Sequence, residues 1–488
     1  MRRTKIVATL GPATESPEMV RRVILAGADV IRLNQSHGDR RWHERVFRLV
    51  RRTAAELKKP VAILVDLQGP KVRIGRVAGG RIELRKNSIV DIKGGSALGD
   101  AGVLYTPLPQ LVEDVKPGDR VLLDDGSIVL RVIARRGKAA RCRVVVGGAL
   151  GDHKGMNLPG VRLRIPSVTA KDLEDLKWAA RSQADYVAVS FVRSARDIEP
   201  VRRALERLRS GIRIIAKIEK PEALRSLDAV ARAVDGLMVA RGDLGVEMDL
   251  EEVPVAQMRI IEVAHRLDIP VIVATQMLQS MTGSPRPTRA EVSDVAGAIF
   301  GGTDAVMLSG ETAAGQYPIE AVREMASIAE HAESHMAESG EFEPRHSASM
   351  TRSVADAVCH GANLAGRDLA ARAVFVGTAT GRTALLFSKY RFPGVVVGGS
   401  DDPAAVRRMA LYWGVSPVRV PKCRNTTLLF EAIVRASVER RYVSAGDLVV
   451  FIAGIPHGEA GATNLMRVHT IGSGRPGRDN GTRSKRRP

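Results

Sequence analysis

The stretch RIIAKIEKPEALRSLDAVARAVDGLMVARGDLGVE, residues 213–247, decides the fold. It contains two short apolar runs separated by a segment whose apolar residues recur with helical spacing, and this pattern predicts one βαβ unit. Strands joined by a right-handed crossover lie parallel, so Glu219 and Asp243, which follow the two runs, are expected at one edge of the sheet with Lys217. Two carboxylates and an ammonium at one point suit a hard divalent cation beside a phosphate or an enolate.

A chain of 488 residues is too long for a single core and is expected to form several domains. Its composition, with 44% hydrophobic and 26% charged residues, is that of an ordinary globular protein. Cys142, Cys359 and Cys423 are far apart in the sequence, which argues against a disulfide framework or a zinc site. The N-terminus lacks the apolar run of a signal peptide, and no run has the length of a membrane span. A cytoplasmic location is therefore expected.

The formal net charge of +20 would attract anionic substrates or nucleic acid. The basic residues are scattered and only 4% of the residues are aromatic, so specific nucleic-acid binding is not expected. Part of the charge lies in residues 473–488, which are predicted to form a disordered basic tail.

The pattern that organises the chain is a repeat of short apolar strands, each followed by a helical segment. Eight such strands predict an α/β fold of the (β/α)8 TIM-barrel type, whose active sites lie at the carboxyl ends of the strands. A doubly wound open sheet is the alternative that the same alternation allows. The strand candidates are residues 6–10, 30–33, 61–67, 186–191, 212–218, 236–240, 271–274 and 305–308.

One interval interrupts this repeat. Residues 69–166 show no helical period but several strand and turn signals, such as Asp125-Gly126. They predict a small β-barrel domain inserted in a βα loop, where it would act as a lid that excludes water from the catalytic face. The barrel domain then comprises residues 1–68 and 167–338.

Residues 339–472 resume the alternation and predict a C-terminal α/β domain. Its segment 377–383, GTATGRT, lies between a strand and a helix and is rich in small hydroxyl residues. The backbone amides of this loop would cradle a phosphate, or the loop would serve as an ordinary helix N-cap.

Short motifs lie at the strand ends along nearly the whole chain. They are TKIVATLGP (4–12), RLNQSHG (32–38), DLQGPKVR (66–73), SFVR (190–193), AKIE (216–219), RGDLGVE (241–247), ATQM (274–277), PTRAEVSDVA (287–296) and GTDAVMLSGETA (302–313). In their order and spacing these motifs resemble the pyruvate kinase family, and the resemblance extends to about Gly472. It implies transfer of the phosphoryl group of phosphoenolpyruvate to ADP to give pyruvate and ATP, the last step of glycolysis. It also implies a barrel with a β lid and a C-terminal α/β domain.

Two other functions remain as alternatives. One is another Mg²⁺-dependent barrel enzyme acting on phosphoenolpyruvate or pyruvate, such as an aldolase or a mutase, and the lid insert and C-terminal domain argue against it. The other is an inactive basic binding protein, which would have no need of the intact set Lys217, Glu219, Asp243, Arg32 and Thr275. An active phosphotransferase is therefore expected.

The strand-end residues receive roles from their chemistry. Glu219 and Asp243 are predicted to hold Mg²⁺ or Mn²⁺, which would complete its shell with water and substrate oxygens. Lys217 would neutralise the phosphoryl group in transit, and Arg32 would contact that group bidentately. The backbone amides of Gly242 and Asp243 would take the substrate carboxylate. Helix caps and structural ion pairs are the alternative roles for these side chains.

Further roles are implied by the resemblance. Thr275 matches the family residue beside the substrate methylene, which takes part in protonation of the enolate. Asn34, His37, Arg73 and Lys154 match nucleotide-binding positions, with Lys154 reaching down from the lid.

Most relatives also need a monovalent cation, held by positions that match Asn34, Ser36, Asp66 and the backbone of Leu67. Here Lys71 follows Gly-Pro where K⁺-dependent relatives carry Glu, and Leu67 replaces the usual Thr. A fixed ammonium near Asp66 would supply the positive charge that K⁺ supplies elsewhere. The sequence therefore predicts activity that is largely independent of K⁺.

The resemblance extends to an effector site and to assembly. Segment 377–383 is similar to the family's effector phosphate loop, and residues 457–461 match the loop that would close over it. A sugar phosphate, a nucleotide or no effector at all remain open, and the family suggests a homotetramer. The effector-phosphate candidates are Thr378, Thr380, Gly381, Arg382 and Thr383.

Overall fold

The computed structural model describes the chain in five stretches, residues 1–70, 72–161, 163–339, 353–455 and 463–472. Lys71, the closing loop 457–461 and the tail 473–488 lie outside the described residues. The backbone divides into two compact units, Met1–His335 and Met336–Pro488. Within the described stretches, each helix is too short or too polar to cross a membrane.

The strands of the described residues are numbered in chain order. They are β1 (Lys5–Thr9), β2 (Val30–Asn34), β3 (Ala62–Asp66), β4 (Arg81–Leu84), β5 (Ile89–Gly94), β6 (Val103–Thr106), β7 (Arg120–Leu123), β8 (Ile128–Arg136), β9 (Ala139–Val146), β10 (Gly148–Gly151), β11 (Met156–Asn157), β12 (Tyr186–Val189), β13 (Arg213–Ile218), β14 (Gly236–Ala240), β15 (Val271–Ala274), β16 (Ala305–Leu308), β17 (Ala373–Gly377), β18 (Val395–Ser400), β19 (Val415–Arg419), β20 (Leu448–Gly454) and β21 (Thr463–Thr470).

The α-helices are numbered in the same way. They are α1 (Pro17–Ala26), α2 (Arg40–Glu56), α3 (Pro109–Asp114), α4 (Ala170–Arg181), α5 (Glu199–Arg207), α6 (Pro221–Arg225), α7 (Leu227–Arg232), α8 (Arg241–Glu247), α9 (Val253–Arg266), α10 (Arg289–Phe300), α11 (Gly310–Ala313), α12 (Pro318–Glu338), α13 (Val354–Asp368), α14 (Arg382–Ser388), α15 (Pro403–Arg408) and α16 (Thr426–Glu439).

A closed barrel of eight parallel strands confirms the predicted fold class. The strands follow chain order around the barrel, β1, β2, β3 and then β12 to β16, and the ring closes where Lys5 of β1 lies opposite Ala305 of β16. The strands are mostly apolar because their side chains point either into the barrel or against the surrounding helices. All eight carboxyl ends therefore meet on one rim.

The insert between β3 and β12 contains strands β4 to β11, as its turn signals predicted. Six of these strands form one sheet, in the order β11-β7-β8-β9-β5-β6, and β4 pairs with β10 in a second sheet. Apolar side chains from both sheets share one core. Helix α3 was missed by the sequence analysis, and it contributes Leu111 and Val112 to this core.

Three hydrogen bonds at its two ends tie the insert to the barrel. The Gly69 amide donates to Asp172 Oδ1 of α4 at 3.0 Å. The Arg193 guanidinium, beyond β12, donates to the carbonyls of Leu163 and Ile165 at 2.8 and 3.0 Å. These contacts fix both ends of the insert, whose exact boundaries remain a prediction.

The second unit is built on a five-stranded sheet of order β19-β18-β17-β20-β21. The first four strands are parallel, and β21 pairs antiparallel with β20. This is the predicted α/β arrangement. The loop 377–383 joins β17 to α14, at the carboxyl edge of the parallel strands, where open α/β sheets bind ligands.

Candidate functional site

Strand β13 and helix α8 bring the three charged residues of the opening stretch together. Strands β13 and β14 are parallel neighbours, with Ile218 opposite Val239, and α8 starts directly after β14. Lys217 Nζ lies 2.8 Å from Glu219 Oε1, and both side chains are almost fully buried. Because β13 and β14 are parallel, their carboxyl ends lie at the same rim, as the sequence predicted for these groups.

Asp66, the last residue of β3, links these groups to Arg32 in the neighbouring strand β2. Arg32 Nε lies 2.7 Å from Asp66 Oδ2, and Arg32 Nη1 donates to Thr9 Oγ1 at 3.0 Å. Lys217 Nζ lies 3.5 Å from the other oxygen, Asp66 Oδ1. Asp66, a candidate monovalent-cation ligand, is thus flanked by two protein cations in the structure.

Mutual electrostatics sets the ionisation of this cluster. Burial alone would raise the pKa of the Asp66 carboxyl, but Lys217 and Arg32 outweigh it and hold that pKa below its usual value. Burial likewise disfavours the Lys217 ammonium, yet Asp66, Glu219 and Asp243 raise its pKa above that of an ordinary lysine. Burial, and then the charge of Glu219, raise the pKa of Asp243 to about 6.

A bound cation would balance the charges of this cluster. Asp66, Glu219 and Asp243 carry three negative charges when ionised, against two positive charges on Arg32 and Lys217, so the ionised cluster has one excess negative charge. Asp66 and Glu219 form ion pairs with these cations, and burial and the charge of Glu219 raise the pKa of Asp243. No cluster of three or more His, Cys, Asp or Glu side chains suited to a metal is found in the stretches that the structure describes. Two carboxylates at one rim fit a divalent cation that takes its remaining ligands from water and substrate.

Two residues that were not singled out as site residues support this cluster. Lys217 Nζ donates to Ser190 Oγ at 2.9 Å, and Ser190 donates in turn to the Leu67 carbonyl at 2.9 Å. The Phe191 amide donates to Glu219 Oε2 at 2.9 Å. Phe191 adopts a φ of 59°, a conformation uncommon for a bulky side chain, which is a known mark of functional sites. The SFVR motif contains both residues, but it does not reveal these contacts.

Thr275 lies at the same rim, directly after β15. Its backbone is left-handed, with a φ of 68°. Its hydroxyl donates to the Ala274 carbonyl at 2.6 Å and accepts from the Gly242 amide at 2.7 Å. The Gly242 amide, expected to receive a substrate carboxylate, is therefore bonded to Thr275 in this structure. Arg241 holds the same loop, since its guanidinium donates to the Thr275 carbonyl at 2.9 Å and pairs with Asp294 at 2.6 Å.

The candidate nucleotide residues are distributed over two segments of the first unit. Ser36 and Arg73 line one cavity of about 660 Å³, together with His153. Arg73 Nη1 donates to the His153 carbonyl at 3.3 Å, and Asn34 Oδ1 accepts from the Ser36 amide at 3.0 Å. This cavity therefore joins the loop after β2 to the insert.

The remaining two candidates make other contacts. Lys154 Nζ pairs with Asp124 Oδ1 of the insert at 2.9 Å. The His37 carbonyl accepts a hydrogen bond from His43 Nε2 at 2.9 Å. His43 Nδ1 lies 3.2 Å from Gln35 Nε2, so helix α2 supports the loop that carries Asn34 and His37.

The loop 377–383 forms part of a separate cavity of about 320 Å³ within the second unit. The hydroxyl of Thr378 accepts from the Gly381 amide at 3.0 Å, and the Thr383 hydroxyl lies 2.7 Å from that of Thr463. Gly381 has a φ of 88°, which lets the chain turn into α14. The cavity also contains residues that sequence reasoning did not identify, namely Ser400, Asp401, Lys422, Cys423 and Arg424.

Family models match both units of the chain. The model described as pyruvate kinase, barrel domain, matches residues 1–322. The model described as pyruvate kinase, alpha/beta domain, matches residues 356–469.

Individual relatives agree with the family models. The chain is 44% identical to a pyruvate kinase of Geobacillus stearothermophilus over 473 residues, which cover 96% of this chain and 80% of that protein. It is 41% identical to a pyruvate kinase of Mycobacterium tuberculosis, with 96% and 99% of the two chains covered. A crystal structure of a pyruvate kinase from Cryptosporidium parvum superposes with a TM-score of 0.90 at 32% identity over 96% of both chains. The chain belongs to the pyruvate kinase family and is an enzyme that transfers the phosphoryl group of phosphoenolpyruvate to ADP.

Proposed function

We propose that phosphoryl transfer takes place at the rim formed by β2, β3, β13 and α8, with Glu219 and Asp243 as the protein ligands of Mg²⁺. The observation that carries this assignment is the charge of the buried cluster, in which three carboxylates face two cations. When bound, Mg²⁺ would neutralise oxygens of the transferred group and of the enolate. Mn²⁺ would occupy the same oxygen donors.

Lys217 and Arg32 are the groups that would stabilise the phosphoryl group in transit. Phosphoryl transfer needs positioning and charge neutralisation more than covalent help. Lys217 is held as an ammonium by its carboxylate neighbours, and Ser190 and Glu219 fix its direction. Asp66 and Thr9 orient the planar guanidinium of Arg32 through its Nε and Nη1 atoms, and the N–H groups that these two contacts do not use would bind the substrate.

Thr275 would direct protonation of the enolate through its hydroxyl, with water as the proton carrier. The hydroxyl bridges the Gly242 amide and the Ala274 carbonyl, so its position is defined before substrate binds. A substrate carboxylate at the Gly242 and Asp243 amides would replace Thr275 as the acceptor for Gly242. Binding of that carboxylate would then free the Thr275 hydroxyl for its own role.

The nucleotide is proposed to bind between the loop after β2 and the insert. Asn34, His37, Arg73 and Lys154 are the candidates, and the cavity lined by Ser36 and Arg73 supports this placement. Lys154 would exchange its pairing with Asp124 for a phosphate oxygen. The insert would act as the lid that keeps water from the transferred group.

The requirement for K⁺ is proposed to be weak. The family generally needs a divalent and a monovalent cation, but the positions predicted for the monovalent ion already carry protein contacts here. Asp66 is flanked by Arg32 and Lys217, and the Leu67 carbonyl accepts from Ser190. Lys71 adds a further positive charge to this segment of the sequence.

The second unit is proposed to bind a phosphorylated effector at the loop 377–383. Its cavity combines threonine hydroxyls with the cations Arg382, Lys422 and Arg424. A homotetramer is proposed for the assembly, and Leu250, Val255 and Met258 support it because these large apolar residues are at least half exposed around α9. The cytoplasmic location expected from the sequence stays a prediction.

One coupled assay tests these cation assignments. Pyruvate release from phosphoenolpyruvate is expected to require ADP and Mg²⁺ and to persist when a bulky organic cation is the only monovalent species. A collapse of activity in the organic cation that K⁺ rescues would overturn the proposed K⁺ independence. Release of pyruvate without Mg²⁺ or Mn²⁺ would overturn the metal assignment.

A further inference from the structure

A buried ion pair lies beside the candidate metal site without belonging to it. Lys220 Nζ is 2.5 Å from Glu247 Oε1, and the two side chains are only 11% and 1% exposed. Burying two charges is costly unless their geometry and further hydrogen bonds compensate, so such a pair adds little stability by itself. A buried pair of this kind is better explained by the position that it imposes on its neighbours.

The ion pair is linked to the insert by a third residue. Asn157, the last residue of β11, donates from Nδ2 to the same Glu247 Oε1 at 2.9 Å. The turn between β7 and β8 approaches the same helix, since a Cβ built on Gly126 would lie 4.0 Å from Val246 Cγ1. The insert therefore contacts the end of α8 through Asn157, and its β7–β8 turn lies close by.

Each member of the ion pair is close in the chain to a candidate metal carboxylate. Lys220 directly follows Glu219, and Glu247 lies one helical turn after Asp243 on α8, so both residues share a face of that helix. Lys220 Nζ also lies 4.9 Å over the ring of Phe191, whose amide holds Glu219. A displacement of Lys220 or Glu247 would thus move the carboxylates as well.

We propose that Asn157, Glu247 and Lys220 form a latch through which the seating of the insert sets the spacing of Glu219 and Asp243. All three are positioning residues. When the insert is seated, which means that Asn157 contacts α8, Asn157 and Lys220 both bind Glu247 and fix the end of α8. When the insert moves away, Glu247 loses one of its two donors and α8 is held less firmly. Because coupling is reciprocal, occupation of the metal site would favour the seated insert. The proposal rests on the metal role proposed for Glu219 and Asp243.

The test measures Mn²⁺ affinity by electron paramagnetic resonance in the full-length protein with phosphoenolpyruvate present. Asn157→Ala is expected to weaken Mn²⁺ binding by about tenfold, the lower end of what partners beyond the metal ligands contribute. Asn157→Asp should weaken it further, because it places a second carboxylate against Glu247. Gln110→Ala removes an exposed amide elsewhere on the insert and serves as the matched control.

The outcomes separate the latch from a purely structural role. The latch predicts a higher KM for Mg²⁺ in Asn157→Ala, with kcat at saturating Mg²⁺ within about twofold of the wild type and restored affinity in Asn157→Gln. Unchanged Mn²⁺ affinity in Asn157→Ala, with or without a lower melting temperature, would overturn the latch. Wild-type Mn²⁺ affinity in Glu219→Gln would instead overturn the metal assignment on which the latch rests.

Discussion

The barrel rim and the loop 377–383 are both proposed to bind phosphate groups, but they are built in different ways. The rim gathers buried charges from four separate segments, and Lys217 alone contacts three other side chains. The loop is one continuous segment, in which Thr378 bonds to the Gly381 amide three residues away. The rim therefore depends on the whole barrel, whereas the loop depends mainly on one strand-to-helix connection.

This difference indicates what each region is able to do. Fixed charges in a buried site stabilise charge that develops during a reaction, because they need no reorganisation at that moment. An open loop of amides and hydroxyls binds a phosphate that stays as it is. Substitutions at the rim should therefore change turnover, and substitutions at the loop should change only binding.

The largest effect is expected when the rim loses one carboxylate. Glu219→Gln keeps the side-chain volume but removes the carboxylate proposed to bind the metal, which is also a partner of Lys217. We expect kcat/KM to fall by about 10³-fold, the upper range for loss of one electrostatic contact at a reacting centre. Steady-state kinetics at several Mg²⁺ concentrations measures it, with the exposed Glu206→Gln as the control. Activity of Glu219→Gln near that of the wild type would contradict the expectation that the rim, unlike the loop, determines turnover.

A smaller effect is expected at the loop. Arg382→Ala should weaken the binding of inorganic phosphate to the second unit by about tenfold, since a charged hydrogen bond contributes about 1.5–3 kcal/mol when buried and less at an exposed position. Titration calorimetry measures this, and Arg435→Ala on the exposed face of α16 is the control. Turnover without effector should stay within about twofold of the wild type. A loss of turnover as large as that at the rim would contradict the division of roles.

The smallest expected effect is on the pH dependence of stability, through a histidine that supports the loop after β2. Burial lowers the pKa of His43, so its neutral form donates from Nε2 to the His37 carbonyl and accepts at Nδ1 from Gln35. The unfolded chain then binds a proton at His43 more readily than the folded protein does. The stability contributed by the neutral ring is therefore lost as pH falls below the ordinary histidine range.

The variant His43→Gln should reduce this acid sensitivity. Between pH 7 and pH 5 the melting temperature of the wild type is expected to fall more than that of the variant. Differential scanning calorimetry compares the two, with the exposed His331→Gln as the control. Equal slopes in the wild type and His43→Gln would show that His43 carries no such role.

The architecture could be predicted from the sequence because the apolar patterns of strands and helices are visible within short segments. The intervals 236–240, 271–274 and 305–308 were predicted as strands and are β14, β15 and β16 without change, and the other barrel strands differ by one or two residues at their ends. The placement of Glu219 and Asp243 at one rim followed from parallel pairing alone. The short helix α3 was missed because six residues are too few to show a helical period.

The hydrogen bonds between residues of the site could not be predicted from the sequence in the same way. Nothing in the sequence shows that Ser190 connects Lys217 to the Leu67 carbonyl, or that Gly242 donates to Thr275. These contacts join residues that are far apart in sequence, and they depend on barrel register and on side-chain rotamers. The nucleotide, effector and monovalent-cation assignments remain predictions that the geometry is compatible with.

Lys217 is the residue on which the proposed chemistry at the barrel rim depends, because its ammonium is proposed to stabilise the phosphoryl group in transit. Pyruvate release by Lys217→Met in the coupled assay tests this role, alongside Mn²⁺-dependent binding of phosphoenolpyruvate to the same variant. We expect pyruvate release to fall by at least about 10³-fold while binding stays detectable. Full activity in Lys217→Met would show that Lys217 has no such role.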